Sequence, residues 1–177
     1  MSLYTTLALI EAKHPCSSGW AMLLSSLTPK QREQRDRRIP IKHIIKSNGV
    51  ADALWALRCV PESQATKRDK VALLFAIKCA KRSLPIFEKR YPEDKRPRQA
   101  IEVAYRYAMG RATKEDLFAA WAAARFAAWA AAWAAAGDAA GDAAWAAARF
   151  AAWAAAGDAE SRWQARELAR MLTPRKR

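Results

Sequence analysis

Apolar residues recur along the chain at the three- and four-residue spacing of amphipathic helices, and the strict alternation of a half-buried strand is almost absent. The clearest helix follows Thr66, where one continuous apolar face is formed by Leu73, Ile77, Ala80, Leu84, Phe87 and Tyr91. Because proline lacks the amide hydrogen that a helix interior needs, Pro85 predicts a kink or a break near Ser83. The whole pattern predicts about seven or eight helices with short connections.

The boundaries of these helices are marked by residues that cap helix ends. Three capping boxes begin at threonine and lie at 28–31, 66–69 and 113–116. Ser17 or Ser18 is expected to cap a shorter apolar segment, and the aspartates that follow glycine at 138, 142 and 158 are interpreted as further caps. Asn48-Gly49 and Gly110 predict helix ends, because glycine adopts positive φ without strain.

A segment of fourteen alanine-, tryptophan- and arginine-containing residues occurs twice, at 119–132 and 143–156. Alanine has the highest helix propensity, so the tract is expected to be helical. Every fourth position from 121 to 157 is Trp, Arg or Gly, and this stripe drifts by about 40° per step, so one straight helix does not bury every Trp. The Gly-Asp pairs at 137–138 and 141–142 therefore predict an antiparallel helical hairpin.

These elements predict an all-α protein, a compact multi-helix bundle with a C-terminal Ala/Trp-repeat helical hairpin. We interpret 1–177 as a single all-helical domain. Its parts are N-terminal helices at 1–65, motif helices at 66–112, the Ala/Trp-repeat helices at 113–172 and a basic tail at 173–177.

The repeat places each arginine one helical turn from a tryptophan on either side, which allows guanidinium groups to stack on indoles. Two interpretations stay open: the tryptophans pack between close helices, or they form a Trp/Arg face that binds a partner. The residues concerned are Trp121, Arg125, Trp129, Trp145, Arg149 and Trp153.

The chain is strongly basic, with 31 Lys and Arg against 17 Asp and Glu, a net charge of +14 and a pI near 10.2. The basic residues concentrate in three blocks, at 30–46, 67–98 and 162–177. One interpretation is that these blocks form a surface that binds phosphate backbones or an acidic protein. The other is that they only keep the protein surface solvated. Because no nucleic-acid-binding motif is present, any contact with nucleic acid is expected to be electrostatic and sensitive to salt.

Catalytic chemistry has little support in the sequence. His14 and His43 stand near no serine or cysteine in a triad-like context, and the three cysteines lie too far apart for a metal-binding Cys-x-x-Cys pair. We therefore expect no enzyme, no metal and no cofactor. The unpaired cysteines, the absence of a secretion signal and a longest uncharged run of only 11 residues, at 126–136, predict a cytoplasmic protein without a membrane span.

One stretch resembles a known family. Residues 79–110 contain Cys-Ala, then Leu-Pro-x-Phe-Glu at 84–88, then Pro-x-Asp-x-Arg-Pro-Arg-x-Ala-Ile-Glu at 92–102, and end at Gly110. This pattern resembles the predicted immunity-protein family of bacterial polymorphic-toxin systems, in which an Ala-rich helical region follows. The segment 48–58 together with the Ala/Trp repeats is also similar to uncharacterised phage-encoded proteins. The resemblance implies a helical inhibitor that acts by binding.

We therefore expect a non-enzymatic inhibitor or immunity-type protein that binds and neutralises a macromolecular target. That target is expected to be a toxin. If the protein is encoded by a phage, the target is instead a host defence complex such as a CRISPR ribonucleoprotein, and the protein is an anti-CRISPR inhibitor. The basic charge favours a protein target that is acidic or carries nucleic acid, and it leaves direct contact with nucleic acid and the oligomeric state open. The alternative is a basic helical nucleic-acid-binding protein with little sequence specificity. The partner-binding residues are expected to be Arg96, Arg98, Lys78, Lys81 and Arg82, together with the Trp/Arg residues of the repeat.

Overall fold

The computed structural model describes residues 2–123 and 143–173, and it confirms the all-α class. The helices are α1 Leu7–Glu11, α2 Ser17–Ser25, α3 Pro29–Glu33, α4 Ile41–Asn48, α5 Val50–Ala56, α6 Ala65–Arg90, α7 Arg96–Ala108, α8 at 114–123 and α9 Ala143–Leu172. Short 3-10 turns occupy Leu57–Cys59 and Glu62–Gln64, and the strands are β1 Tyr4–Thr5 and β2 Ile39–Pro40.

The chain divides into two units. The first unit comprises residues 1–72 and 160–177, and the second unit comprises residues 73–159. Helices α6 and α9 are continuous across these limits, so each of them contributes residues to both units.

The first unit has a small antiparallel sheet in which Tyr4 pairs with Pro40 and Thr5 with Ile39. Thr5 is fully buried, and its hydroxyl donates a hydrogen bond of 2.6 Å to the Cys59 carbonyl oxygen. This bond ties the first strand to the turn that follows α5, and it satisfies a hydroxyl that would otherwise be costly to bury.

The core of the first unit follows the predicted apolar periodicity. The isoleucine stripe of α4 is buried, as are residues near the N-terminus and near the end of α9: Leu3, Leu7, Ile41, Ile44, Ile45, Leu168 and Leu172. Each such side chain contributes about 1.5–3 kcal/mol when it is removed from water. The last turns of α9 are therefore part of this core, although they are remote in sequence.

Several predicted helix ends are confirmed. Thr28 forms a complete capping box with Gln31 at the start of α3, and Thr113 exchanges hydrogen bonds with Asp116 at the start of α8. Gly49 ends α4 with a φ of +88°, and glycine is the residue that tolerates this conformation best.

Other predicted boundaries were wrong. Helix α2 begins at Ser17 with Cys16 as its cap residue, and Cys16 makes no side-chain capping bond. Helix α6 begins at Ala65, after a 3-10 turn, so Thr66 lies inside it. Asp158 lies in the interior of α9 and is not a cap, because the high helix propensity of the surrounding alanines carries that helix through Gly157.

The expected break at Pro85 does not occur, since α6 is one helix from Ala65 to Arg90. Proline removes a single backbone hydrogen bond, whereas the apolar face continues on both sides of it. Leu84 is buried and Phe87 is half-buried, so packing outweighs the missing bond.

The turn of the predicted Ala/Trp hairpin, at 137–142, lies outside the described residues, as does the region 124–136. The second copy of the repeat, at 143–156, begins helix α9. The division of the chain into a single domain with the four parts given above stays a prediction. No helix in the described ranges is long and apolar enough to cross a membrane.

Candidate partner-binding surface

The family-like motif folds into two helices and the turn between them. Helix α6 ends at Arg90, and α7 begins at Arg96 with Pro97 in its first turn, where the missing amide hydrogen does no harm. The Asp94 carboxylate accepts a hydrogen bond of 3.1 Å from the Arg96 backbone N–H, and this bond satisfies one of the free amides at the start of α7.

Both arginines of the Arg-Pro-Arg sequence form bidentate ion pairs. Arg96 donates to Asp94 at 2.9 and 2.6 Å, and Arg98 donates to Glu88 at 2.7 and 2.6 Å. The second pair joins α6 to α7 across ten residues of sequence. These arginines hold the pKa values of the Asp94 and Glu88 carboxyls below their ordinary values, chiefly through the side-chain hydrogen bonds.

Arg98 therefore also joins the two motif helices, and Arg96 also fixes the turn before α7. Both guanidinium groups are already bound to carboxylates within the chain, and both remain about half exposed. Their contact with a partner stays a prediction.

The predicted basic cluster lies on one face of α6, because Lys78, Lys81 and Arg82 are three and four residues apart. Lys78 is half-buried, and the other two are exposed. The Lys81 ammonium lies 5.2 Å from the centre of the Tyr105 ring on α7, within the range of a cation–π contact.

The second unit also contains a large apolar groove of about 1480 Å³, lined by α6, α7 and α8. Its principal apolar residues are Ile77, Leu84 and Ile86 from α6, Pro97 and Ile101 from α7, and Phe118 and Trp121 from α8. Ile86 is 77% exposed, Phe118 68% and Trp121 51%, which are high fractions for large apolar side chains. The Phe118 and Trp121 rings pack 5.9 Å apart and form one aromatic patch.

Of the predicted Trp/Arg residues, Trp121 is thus placed on this groove. Arg125 and Trp129 lie outside the described residues, and the remaining three, Trp145, Arg149 and Trp153, lie in helix α9. The choice between core packing and a binding face stays open for the repeat.

The sequence predicted the apolar face of α6, and all six residues of that face line the groove, but the groove itself was missed. Ile86 lies off the predicted apolar stripe of α6, and Phe118 precedes the repeat in an apolar run with Leu117. Ile86 is a large apolar residue on the otherwise polar face of α6, and this was the signal in the sequence that could have indicated an exposed apolar surface.

The structure also brings together a serine and a histidine that the sequence did not connect. Ser26 Oγ lies 2.9 Å from His43 Nε2, and the same hydroxyl donates to the Leu23 carbonyl at 2.7 Å. Because the serine hydroxyl donates to that carbonyl, it accepts from His43 when Nε2 carries the ring proton. The pair joins α2 to α4. In the parts of the chain that the structure describes, no cluster of His, Cys, Asp or Glu is arranged to hold a metal ion.

Comparison with known proteins adds one finding. Residues 62–162, more than half of the chain, match the family described as Imm-5 like putative immunity protein. No curated protein and no solved structure matches the chain. The matched region contains the paired Arg-Pro-Arg motif and every residue of the apolar groove, and it confirms the family suggested by the motif. The chain belongs to the Imm-5 like putative immunity protein family.

Proposed function

We propose that this protein is an immunity-type inhibitor that neutralises a protein toxin by binding it through the apolar groove of α6, α7 and α8. The observation that carries the proposal is that the groove lies wholly within the family-matched region. An inhibitor that acts by occupancy needs a complementary surface and no chemistry of its own, and large exposed apolar patches are typical of protein-binding surfaces.

The groove has the composition of a protein-binding site. Exposed aromatic residues such as Phe118 and Trp121 become anchors of binding energy once a partner excludes water from them. In the described part of the groove wall, the charged residues are two basic groups, Arg90 and Lys114, and one acidic group, Glu115. Lys81 adds a further basic group on α6. This combination suits a target that presents apolar side chains flanked by carboxylates.

The test compares groove substitutions with a matched one elsewhere. Ile86→Glu and Phe118→Glu place a charge in the groove at exposed positions, so they leave the core intact. Met22→Glu is the control, because Met22 is 49% exposed and lies in the first unit.

Each variant is immobilised for affinity capture from host lysate, and each is co-expressed with the captured toxin in a growth-rescue assay. We expect the groove variants to lose at least about tenfold in affinity and to lose rescue, since a charge buried against apolar surface is costly. The control keeps both. Equal capture and rescue by all variants would remove the groove from the mechanism.

The motif arginines need a separate experiment, since reversing them also breaks their internal ion pairs. We expect Arg96→Glu with Arg98→Glu to abolish target binding while circular dichroism shows that the helices persist. The double exchange of Arg98→Glu with Glu88→Arg restores an ion pair with reversed polarity. Recovery of binding in that exchange shows that the pair acts as a clamp, and continued loss shows that the positive charge of Arg98 contacts the target.

A second candidate function is binding to nucleic acid, and a specific observation favours it. The basic block at 30–46 is surface-exposed on the first unit, where Lys30, Arg32, Arg37, Arg38 and Lys42 are all exposed. Such a surface binds phosphate backbones without sequence specificity. A nucleoprotein target, such as a CRISPR ribonucleoprotein, would present its phosphates to this surface.

Nuclease treatment of the lysate separates these functions. A captured partner that survives nuclease supports a protein target, and a partner lost on treatment supports a nucleic-acid-bearing one. Direct binding to DNA or RNA, with an affinity that falls steeply as salt is added, supports the nucleic-acid-binding alternative.

A further inference from the structure

The first unit contains a smaller pocket of about 320 Å³, lined by residues of α1, α2, α4 and α5 and by the turn after α1. Its walls include the indoles of Trp20 and Trp55 and the side chains of Leu23 and Ile44. These residues all precede the family-matched region, so membership in the family assigns no role to them. The volume is at the small end of ligand sites in proteins.

One carboxylate is held in this pocket by a fixed network. Asn48 Nδ2 donates to Asp52 Oδ2 at 2.8 Å and to the Gly19 carbonyl at 2.8 Å, and Ser47 Oγ donates to Asn48 Oδ1 at 2.7 Å. A Cβ on residue 19 would lie 2.8 Å from Asp52 Oδ2, closer than real contacts allow. Glycine at this position therefore lets the carboxylate lie against the backbone of α2.

The network leaves most of the acceptor capacity of Asp52 unused. A carboxylate accepts about four hydrogen bonds, and among the described side chains Asn48 alone donates to this one. Within the described lining of the pocket, Asp52 is also the sole Asp, Glu, Lys, Arg or His residue. The pocket thus contains one negative charge that is available to a donor.

The two indoles add a second attraction for cations. Arg35 lies 5.6 Å from the centre of the Trp20 ring, and Arg58 lies 5.4 Å from that of Trp55. Neither arginine lines the pocket, and the charge of Arg35 is compensated by its ion pair with Glu11. Carboxylate and indole together form the chemistry that recognises ammonium groups in proteins.

We propose that this pocket binds a primary alkylammonium group, supplied by a free small amine or by a lysine side chain of another protein. The ammonium donates to Asp52, and its carbon chain replaces water along Leu23 and Ile44. Because the pocket lies in the first unit, the proposal is independent of the inhibitor function assigned to the groove.

The experiment follows the indole N–H signals of Trp20 and Trp55 by NMR, assigned with Trp→Phe variants. n-Butylammonium is titrated into the full chain at constant ionic strength, beside 1-butanol as the neutral molecule of the same size. We expect saturable shifts of both indoles with the amine and at least about tenfold weaker binding of the alcohol, because a charge-assisted hydrogen bond is lost. Equal affinities of amine and alcohol would overturn the proposal.

A matched pair of variants locates the charge that matters. Asp52→Asn removes the charge and keeps an acceptor for Asn48, and Asp36→Asn removes an exposed carboxylate that lies outside the pocket. We expect the first variant to weaken binding at least about tenfold and the second to leave it unchanged. Unchanged binding by Asp52→Asn overturns the proposal, and the amine-to-alcohol comparison on the unaltered chain decides the matter if that variant does not fold.

The source of the ammonium group is distinguished with a third probe, lysine blocked at both its amino and carboxyl ends. Binding of blocked lysine as tight as that of n-butylammonium indicates a protein side chain as the natural ligand. Binding of the free amine alone indicates a small amine.

Discussion

The burial of Leu168 gives the sharpest test of how α9 contributes to the first unit. Leu168 is 0% exposed, although it lies only one turn from the end of its helix. Leu168→Ala removes three carbons and leaves a cavity, and such changes cost about 2–5 kcal/mol in buried sites. Alanine returns only a few tenths of a kcal/mol in helix propensity. We expect the free energy of unfolding to fall by about 3 kcal/mol, because the last turns of a helix can relax partly into the cavity.

This change is large enough to measure in two ways. A loss of about 3 kcal/mol corresponds to roughly a 150-fold change in the ratio of folded to unfolded protein, and to a fall in Tm of about 6–12 °C. Urea and thermal denaturation are followed by circular dichroism. Arg166→Ala is the control, because Arg166 is exposed on the same helix and its replacement leaves no cavity. A loss below about 1 kcal/mol for Leu168→Ala, or an equal loss for the control, would refute the docking of these turns in the core.

Three further predictions concern the buried hydroxyl, an ion pair and the thiols. Thr5→Val keeps the shape of the side chain but leaves the Cys59 carbonyl without its donor, so urea denaturation should show a free energy of unfolding that is lower by about 1–3 kcal/mol. An unchanged urea midpoint contradicts this. Because the pKa of Glu88 is lowered in the folded state, its ion pair with Arg98 stabilises the fold above pH 4.5 and loses that effect as pH falls through the folded pKa. NMR titration should show that the pKa of Glu88 rises in Arg98→Gln, and an unchanged pKa contradicts this. Burial raises the pKa of the Cys59 thiol, so iodoacetamide at neutral pH should label exposed Cys16 first, as mass spectrometry of timed samples can show; equal labelling rates refute this.

Features of the fold that depend on local sequence were predictable. The capping boxes at Thr28 and Thr113 need only residues three positions apart, and the stripe of Ile41, Ile44 and Ile45 follows from helical periodicity. Boundaries that depend on packing were not. Helix α6 continues through Pro85 because its apolar residues pack on both sides, and a local rule for proline contains no information about that packing.

The candidate site was likewise predictable only where it depends on local sequence. The Arg-Pro-Arg sequence identified the motif, but the pairing of Arg98 with Glu88 depends on the turn between α6 and α7, which brings two distant residues together. The contact of Ser26 with His43 likewise requires α2 and α4 to pack. The groove depends on three helices at once, so the periodicity of α6 predicted the apolar face on that helix but not its packing with α7 and α8.

Helices α6 and α9 each contribute residues to both units, and this limits how the molecule can be divided. A fragment cut at the family boundaries, 62 and 162, ends inside α9 and discards Leu168 and Leu172 together with the rest of the first unit's core. Val71 is a buried residue of the first unit that the fragment would keep, and it would lose the core around it, so apolar surface would be exposed to water, which favours aggregation. The boundaries of the family match, 62 and 162, therefore differ from those of the second unit, 73 and 159. An engineer who wishes to transplant its binding surface should move the whole chain.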